Sequence, residues 1–391
     1  MDVPAARWRA ALTAAFGCNG LTMAAWVSRT PAIRDLTHSS TAAMGLVIAG
    51  MSVGSMAGIA VGGGYVARSG ARAVVRTGLL AVAAGTAVAG LGATLGLGWL
   101  VAVGLAGIGF GMGSGEIALN VEGVALEAVV GRTVVPSLHG SYSLGLCVGA
   151  VLGLLANAAH LPVLAHLLAV AALTATCTAW LVRHLPPATG AEPRVAGRAG
   201  PPGSPLAVWR ETRTLAIGVI VLGMALAEGS ANDWLPLIVV DGFGLSATTG
   251  SLVFAFFGAA MAAGRFGGGW FLDRYGRTPV VLASAACAVA GIGLVSLAPG
   301  IAVAAVGVLL WGLGAALGFP VALSAAGDDP AGAARRVSAV ATAGYAAFLV
   351  GPPLLGFVGQ HAGLRSAILV VLAVVALSTL FARSVARPAV Q

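Results

Sequence analysis

Lysine is absent from this chain of 391 residues, and acids are scarce, with 13 Asp and Glu against 21 arginines. Charged residues make up 9% of the sequence and hydrophobic residues 58%, and mean hydropathy is +0.96. So little charge cannot solvate a water-soluble domain of this length. The soluble classes are excluded, and a polytopic α-helical membrane protein is expected. The few cysteines, Cys18, Cys147, Cys177 and Cys287, all fall inside apolar runs, so no structural disulfide is expected. No cluster with metal-ligand spacing, phosphate-binding loop or nucleophile triad occurs. No cofactor, metal or catalytic residue is therefore expected, and the chain is not read as an enzyme. The basic excess is read as membrane topology, not nucleic-acid affinity. No small-residue cleavage site follows the first apolar run, which already reaches spanning length.

What the sequence has in abundance is apolar runs and glycine, 58 of them, as suits close helix packing. Twelve runs approach the ~20 residues that a bilayer needs. They are 8–28, 42–66, 73–95, 98–126, 135–158, 162–183, 213–238, 247–271, 279–298, 301–325, 336–358 and 363–384. One long connector, 185–212, is rich in Pro and Gly and reads as a flexible linker. Only Arg29, Arg34 and Arg365 fall in the loops of one side, and Arg265 lies within a run; the remaining arginines gather on the other side. The positive-inside rule puts both termini and the linker in the cytoplasm, with the chain in the cell membrane.

The two halves repeat. GGYVARSGAR (63–72) matches GWFLDRYGRT (269–278), with Arg68 on Arg274 and Gly70 on Gly276. GSYSLGLCVGAVLG (140–153) matches AGYAAFLVGPPLLG (343–356), with Tyr142 on Tyr345. The expected organisation is a six-helix bundle over 1–184, a linker over 185–212 and a second bundle over 213–391.

GGWFLDRYGRT resembles the loop signature G-x-x-x-D-R-x-G-R of the major facilitator superfamily, which sits there between helices 2 and 3 and again between helices 8 and 9. The second copy is complete, with Gly269, Asp273, Arg274, Gly276 and Arg277, while the first carries Ala67 in the aspartate slot. RTPAIRD (29–35), ALNVEGVALE (118–127), SLHGSYSLG (137–145), AEGSANDW (227–234), GFP (318–320) and GPPLLG (351–356) are similar to a bacterial branch of fucose-permease-like carriers. The resemblance implies an all-α fold of two pseudo-symmetric six-helix bundles around a central cavity. It also implies secondary transport by alternating access, with the loop signature as a conformational motif. Helix 4 lacks the arginine, and helix 5 the Gly-Pro, that multidrug antiporters of the superfamily usually carry. Both absences weigh against a typical drug/proton antiporter without excluding export.

Ionisable groups at membrane depth are costly and tend to persist where they act. Glu116, Asn120 and Glu127 share one stripe of helix 4, within ~40° of each other, and Gly109 and Gly113 continue it. Glu116 is the leading proton-coupling candidate, because desolvated carboxyls exchange protons near neutral pH; a carboxylate locked to a structural partner is the alternative. Asn120 is a candidate ligand, Glu127 a gate or solvated group, and Glu122, on another face, a packing or inner-gate residue. Glu228 on helix 7 is a second coupling candidate, with Asn232 on its face. His139 at the start of helix 5 is a candidate proton relay. Arg265 requires an anionic partner, either a substrate carboxylate or, the favoured reading, an ion pair to the loop signature or helix 5. Asn19, Trp26, Asn120, Tyr142, Asn232, Phe257, Trp311 and Tyr345 are candidates to line the substrate cavity. Arg29 and Asp233 are expected near one level at the outer ends of helices 1 and 7, as a partly exposed gating pair.

The leading expectation is a secondary transporter for a small polar or amphipathic solute, proton-coupled and monomeric, whose partners are solute, protons and bilayer but no nucleic acid. An exporter of drugs or secondary metabolites is the alternative. A non-transporting sensor would need a soluble domain that the sequence does not contain.

Overall fold

The computed structural model describes residues 3–131, 134–191, 207–328 and 333–386; most of the expected linker lies outside them. Among the described residues there is no strand, and twelve helical segments are long and apolar enough to cross a membrane. The helices are α1 (Ala5–Leu36), α2 (Thr41–Ser69), α3 (Ala71–Thr94), α4 (Gly98–Val130), α5 (Val135–Ala158), α6 (Val163–Leu181), α7 (Thr212–Phe243), α8 (Ala247–Tyr275), α9 (Arg277–Leu297), α10 (Ile301–Ala326), α11 (Ala333–Ala362) and α12 (Leu364–Ser378). Short 3-10 turns follow α6 at Val182–His184, precede α7 at Ala207–Arg210 and follow α12 at Thr379–Val385.

Most boundaries fall within a few residues of the apolar runs. α1 is the exception. It continues through RTPAIRD to Leu36, absorbing Pro31 at the loss of one intrahelical hydrogen bond. Arg29 is therefore an internal helix residue and not a terminus.

Two compact units form. One comprises residues 1–196 with 245–255, the other 197–244 with 256–391. In the first unit α4 packs on α2 and α3, and α1 on α5. A Cβ on Gly54 or Gly109 would collide with the backbone of the opposing helix, at Ala106 and Met51 respectively; one on Gly113 would meet Ser55. These glycines let the α2 and α4 backbones touch. Gly109 and Gly113 thus do not extend a polar face above Glu116, as expected from their spacing; they are occupied by α2. Gly145 and Gly149 serve α5 against α1 in the same way. In the second unit α10 packs on α9, and α7 on α10, α11 and α12.

The internal repeat is visible in the backbone. Gly70 ends α2 with φ 77°, and its sequence counterpart Gly276 follows α8 with φ 79°. A side chain at either position would be strained, which is why both copies of the signature keep this glycine.

Candidate functional site

In the first unit, polar groups converge on Asn120 of α4. Its Nδ2 donates to the Glu116 carbonyl at 2.9 Å, and its Oδ1 lies 3.2 Å from His139 Nε2 on α5. The His139 ring rests on Phe16 of α1, centroids 4.9 Å apart. Three helices thus meet at one acceptor–donor pair. Glu116 is exposed and Asn120 half-buried, so the cluster is accessible. Glu127 turns away from this site. Its Oε1 accepts from the backbone N–H groups of Val134 and Val135 at 2.6 and 2.9 Å, capping the start of α5. Glu127 is therefore a partly exposed helix cap, in keeping with the reading of a solvated group. Asn19 is buried with its Oδ1 unbonded, and Tyr142 is half-buried on α5.

Glu122 is fully buried on another face of α4. Trp8, Thr189 and Arg72 surround it, and no hydrogen bond of normal geometry reaches its oxygens.

In the second unit, Arg265 of α8 donates to Glu228 of α7 at 2.9 Å. The ion pair found at Arg265 goes to α7, where helix 5 or the loop signature is the sequence-based expectation. The reason is position: both residues lie well inside their helices, far from the loop. One turn beyond Glu228, Asn232 is buried with an unbonded Oδ1, and Asp233 is buried beside it. Pro236 has no N–H for the Asn232 carbonyl, which leaves a second acceptor there.

The expected cavity aromatics are mostly core. Trp26, Phe257 and Trp311 are 1%, 0% and 0% exposed. Phe257 stands edge-on to Trp311, whose indole N–H donates to the Ala227 carbonyl at 3.0 Å. That bond ties α10 to α7. Apolar periodicity alone does not separate a cavity wall from a core. Tyr345 is half-buried on α11.

Arg29 and Asp233 were assigned to a partly exposed gate; both are instead buried, at 4% and 9% exposure. Arg29 donates to Asn157 Oδ1 at 2.6 Å and also to the Leu161 carbonyl. Both acceptors lie at the end of α5 and just beyond it.

The loop signature divides. Asp273 and Arg274 are exposed. Arg277 donates to both oxygens of Asp328, at 2.7 and 2.8 Å, and to Ser324. Arg213 donates to the same carboxylate at 2.9 Å and to the Ser384 carbonyl. Burial pushes the Asp328 carboxyl up, but the hydrogen bonds and charges of Arg277 and Arg213 outweigh it and hold it below its ordinary value. Sequence reasoning missed Asp328. The signal was available, since Arg277 needs an acid and Asp328 follows α10 at the same end of the unit. It also missed Arg365, whose guanidinium donates to the Ser296 and Ala298 carbonyls and lies over Phe243, 4.3 Å from its centroid.

A family model described as Major Facilitator Superfamily matches residues 8–347. The chain belongs to the major facilitator superfamily. It is accordingly a multi-pass membrane transporter. An uncharacterised MFS-type transporter of Yersinia pestis is 29% identical over 354 residues, 90% of this chain and 89% of that protein. Among solved structures, a variant of the nucleoside transporter NupG superposes with a TM-score of 0.79 at 13% identity, covering 97% of this chain and 99% of that one. A variant of the fucose:proton symporter FucP of E. coli superposes with a TM-score of 0.65 at 18% identity, covering 97% and 98%. At these identities the superpositions establish that this superfamily member shares their fold.

Proposed function

We propose that this superfamily member is a proton-coupled secondary transporter for a small polar solute, working as a monomer by alternating access. Its moving bodies are the halves 1–184 and 213–391. It lies in the cytoplasmic membrane with both termini in the cytoplasm, a reading the arginine distribution supports.

The observation that carries this reading is the Glu228–Arg265 pair in the interior of two largely apolar helices. An ion pair at membrane depth is a poor way to gain stability, because desolvation offsets most of its attraction. It is a good way to link two binding events. Protonating Glu228 releases Arg265, whose planar fork suits hydroxyl or carboxylate oxygens of a solute. Glu116, Asn120 and His139 supply acceptors and a donor in the other half. The mix of groups suits a polyhydroxylated or heterocyclic molecule better than an apolar drug. The named substrates of the NupG and FucP structures, a nucleoside and fucose, are of that kind.

The test is transport by the purified protein in proteoliposomes under an imposed pH gradient, against a panel of nucleosides, sugars and antibiotics. Accumulation of a polar solute on the side the protons enter supports symport. Expulsion of an antibiotic against the proton flow would favour the exporter. Counterflow of a solute with no response to the gradient would reject proton coupling.

A further inference from the structure

α3 starts with two arginines one turn apart, Arg72 and Arg76, on one helix face. Beside them is a cavity of ≈ 120 Å³ lined by Arg72, Ala73, Arg76, Val182 and Pro187. It opens between the first turns of α3 and the chain that leaves α6. About four water volumes fit in it, enough for a phosphate group.

The side chains that line the cavity carry two positive charges and no negative one. Among the described residues neither Arg72 nor Arg76 is held in an ion pair. Arg72 is 3.5 Å from the Leu185 carbonyl, a long contact. Among the described residues Glu122, fully buried on α4, lies in electrostatic reach of Arg72 and does not line the cavity. Arg68 at the end of α2 and Arg183 in the turn after α6 add two exposed positive charges at the same end of the unit.

The cavity sits at the end of the apolar stretches of α3 and α6. Above the cavity, α3 and α6 present large exposed apolar side chains: Leu80 at 44%, Leu173 at 50% and Leu168 at 45%. Trp180, 45% exposed and packed against His184 with ring centroids 4.8 Å apart and planes at 41°, marks where that apolar belt ends. A basic pocket between membrane helices at this level fits an anionic phospholipid, whose phosphodiester two guanidiniums can grip while its tails lie along α3 and α6.

We propose that Arg72 and Arg76 form a binding site for the phosphate of an anionic phospholipid in the crevice between α3 and α6. Its assignment to the cytoplasmic leaflet rests on the orientation given under Proposed function; the site itself does not.

Native mass spectrometry of the full-length protein tests it. The protein is released from nanodiscs containing phosphatidylglycerol and phosphatidylcholine in equal amounts, with and without inorganic phosphate. The expected result is preferential retention of phosphatidylglycerol, reduced roughly ten- to thirtyfold in the Arg72→Gln/Arg76→Gln variant and unchanged in an Arg9→Gln control. Arg76→Gln alone, a change at an exposed position, should give an intermediate loss and guards against misfolding of the double variant. Phosphate that displaces the lipid, or binds alone with the same arginine dependence, would assign the site to phosphate chemistry with a soluble source. Equal retention of both lipids, or retention indifferent to the arginines, would overturn the proposal. No transport is measured, so failure here is distinct from failure of the proposed transport function.

Discussion

Arg265 Nη2 lies 2.9 Å from Glu228 Oε1, joining α8 to α7 through two side chains that are only 22% and 14% exposed. Neither group has water enough to be stable alone. Glu228→Gln should remove the carboxylate that faces partly buried Arg265, lowering stability by about 3–5 kcal/mol. The double change Glu228→Gln with Arg265→Gln should recover most of that loss, while accumulation driven by a pH gradient stays abolished. Thermal unfolding in detergent, read alongside proteoliposome uptake, separates the two effects. A double variant no more stable than the worse single would show that the pair is not the coupled unit.

Glu116 carries the parallel expectation for the first unit. Glu116→Gln should abolish accumulation against a gradient while retaining counterflow exchange. Asn120 and His139 keep their mutual contact in this variant, so solute affinity should change little. Normal accumulation with an unaltered pH profile would remove Glu116 from the coupling mechanism.

Asp328 gives a pH-dependent prediction outside the membrane. Arg277 and Arg213 hold its folded pKa below the unfolded value, near ~3.9 for aspartate. The stabilisation is therefore present above the unfolded value and is lost as pH falls through the folded one. Asp328→Asn should cost about 1–3 kcal/mol at pH 7. The difference from the unmodified protein should close as pH drops from about 5 toward 3. A gap in melting temperature that stays constant over that range would mean the carboxylate charge contributes nothing.

The parts of this molecule legible in sequence are those set by composition and period. Apolar runs placed the helices, and the repeated glycine at Gly70 and Gly276 placed matching turns. The sites were less legible because a polar residue's partner depends on three-dimensional approach. Arg265 needed an acid, and sequence correctly demanded one, but its partner Glu228 is 37 residues back while Asp273 is much nearer along the chain. Trp26 and Trp311 show the same limit from the apolar side. A large ring on a membrane helix satisfies either a cavity or a core, and only packing decides.

Glycine contacts yield a prediction with an internal control. A Cβ on Gly54 would strike the Ala106 carbonyl across the α2–α4 contact, while one on Gly63, later on the same helix, would meet nothing within 4 Å. Gly54→Val should force α2 and α4 apart and sharply reduce folded protein in the membrane. Gly63→Ala should be neutral or slightly stabilising, by up to about 1 kcal/mol from helix propensity. Fluorescence-detected size exclusion of the two variants is sufficient. Equal yields would mean the close α2–α4 approach is not required.

Arg29 is a buried guanidinium whose acceptors are both neutral. It donates to Asn157 Oδ1 at 2.6 Å and to the Leu161 carbonyl, and its Nε is buried without a partner. Asn157 in turn donates to the Ser28 carbonyl at 3.0 Å, so each residue braces α1 against α5. The planar fork is what reaches two acceptors at once, and a lysine ammonium on a flexible stem cannot reproduce it. Arg29→Lys should therefore destabilise despite keeping the charge, by about 1–3 kcal/mol for one unsatisfied buried acceptor. Asn157→Leu should cost more, because it leaves the cation with a single hydrogen bond. Arg29→Met in the Asn157→Leu background should restore part of the loss, since the buried charge is then gone together with its missing partner. Melting temperatures of the unmodified protein, Arg29→Met, Asn157→Leu and the double variant form a double-mutant cycle. If the two changes add without interaction, the Arg29–Asn157 contact does not brace this end of the unit.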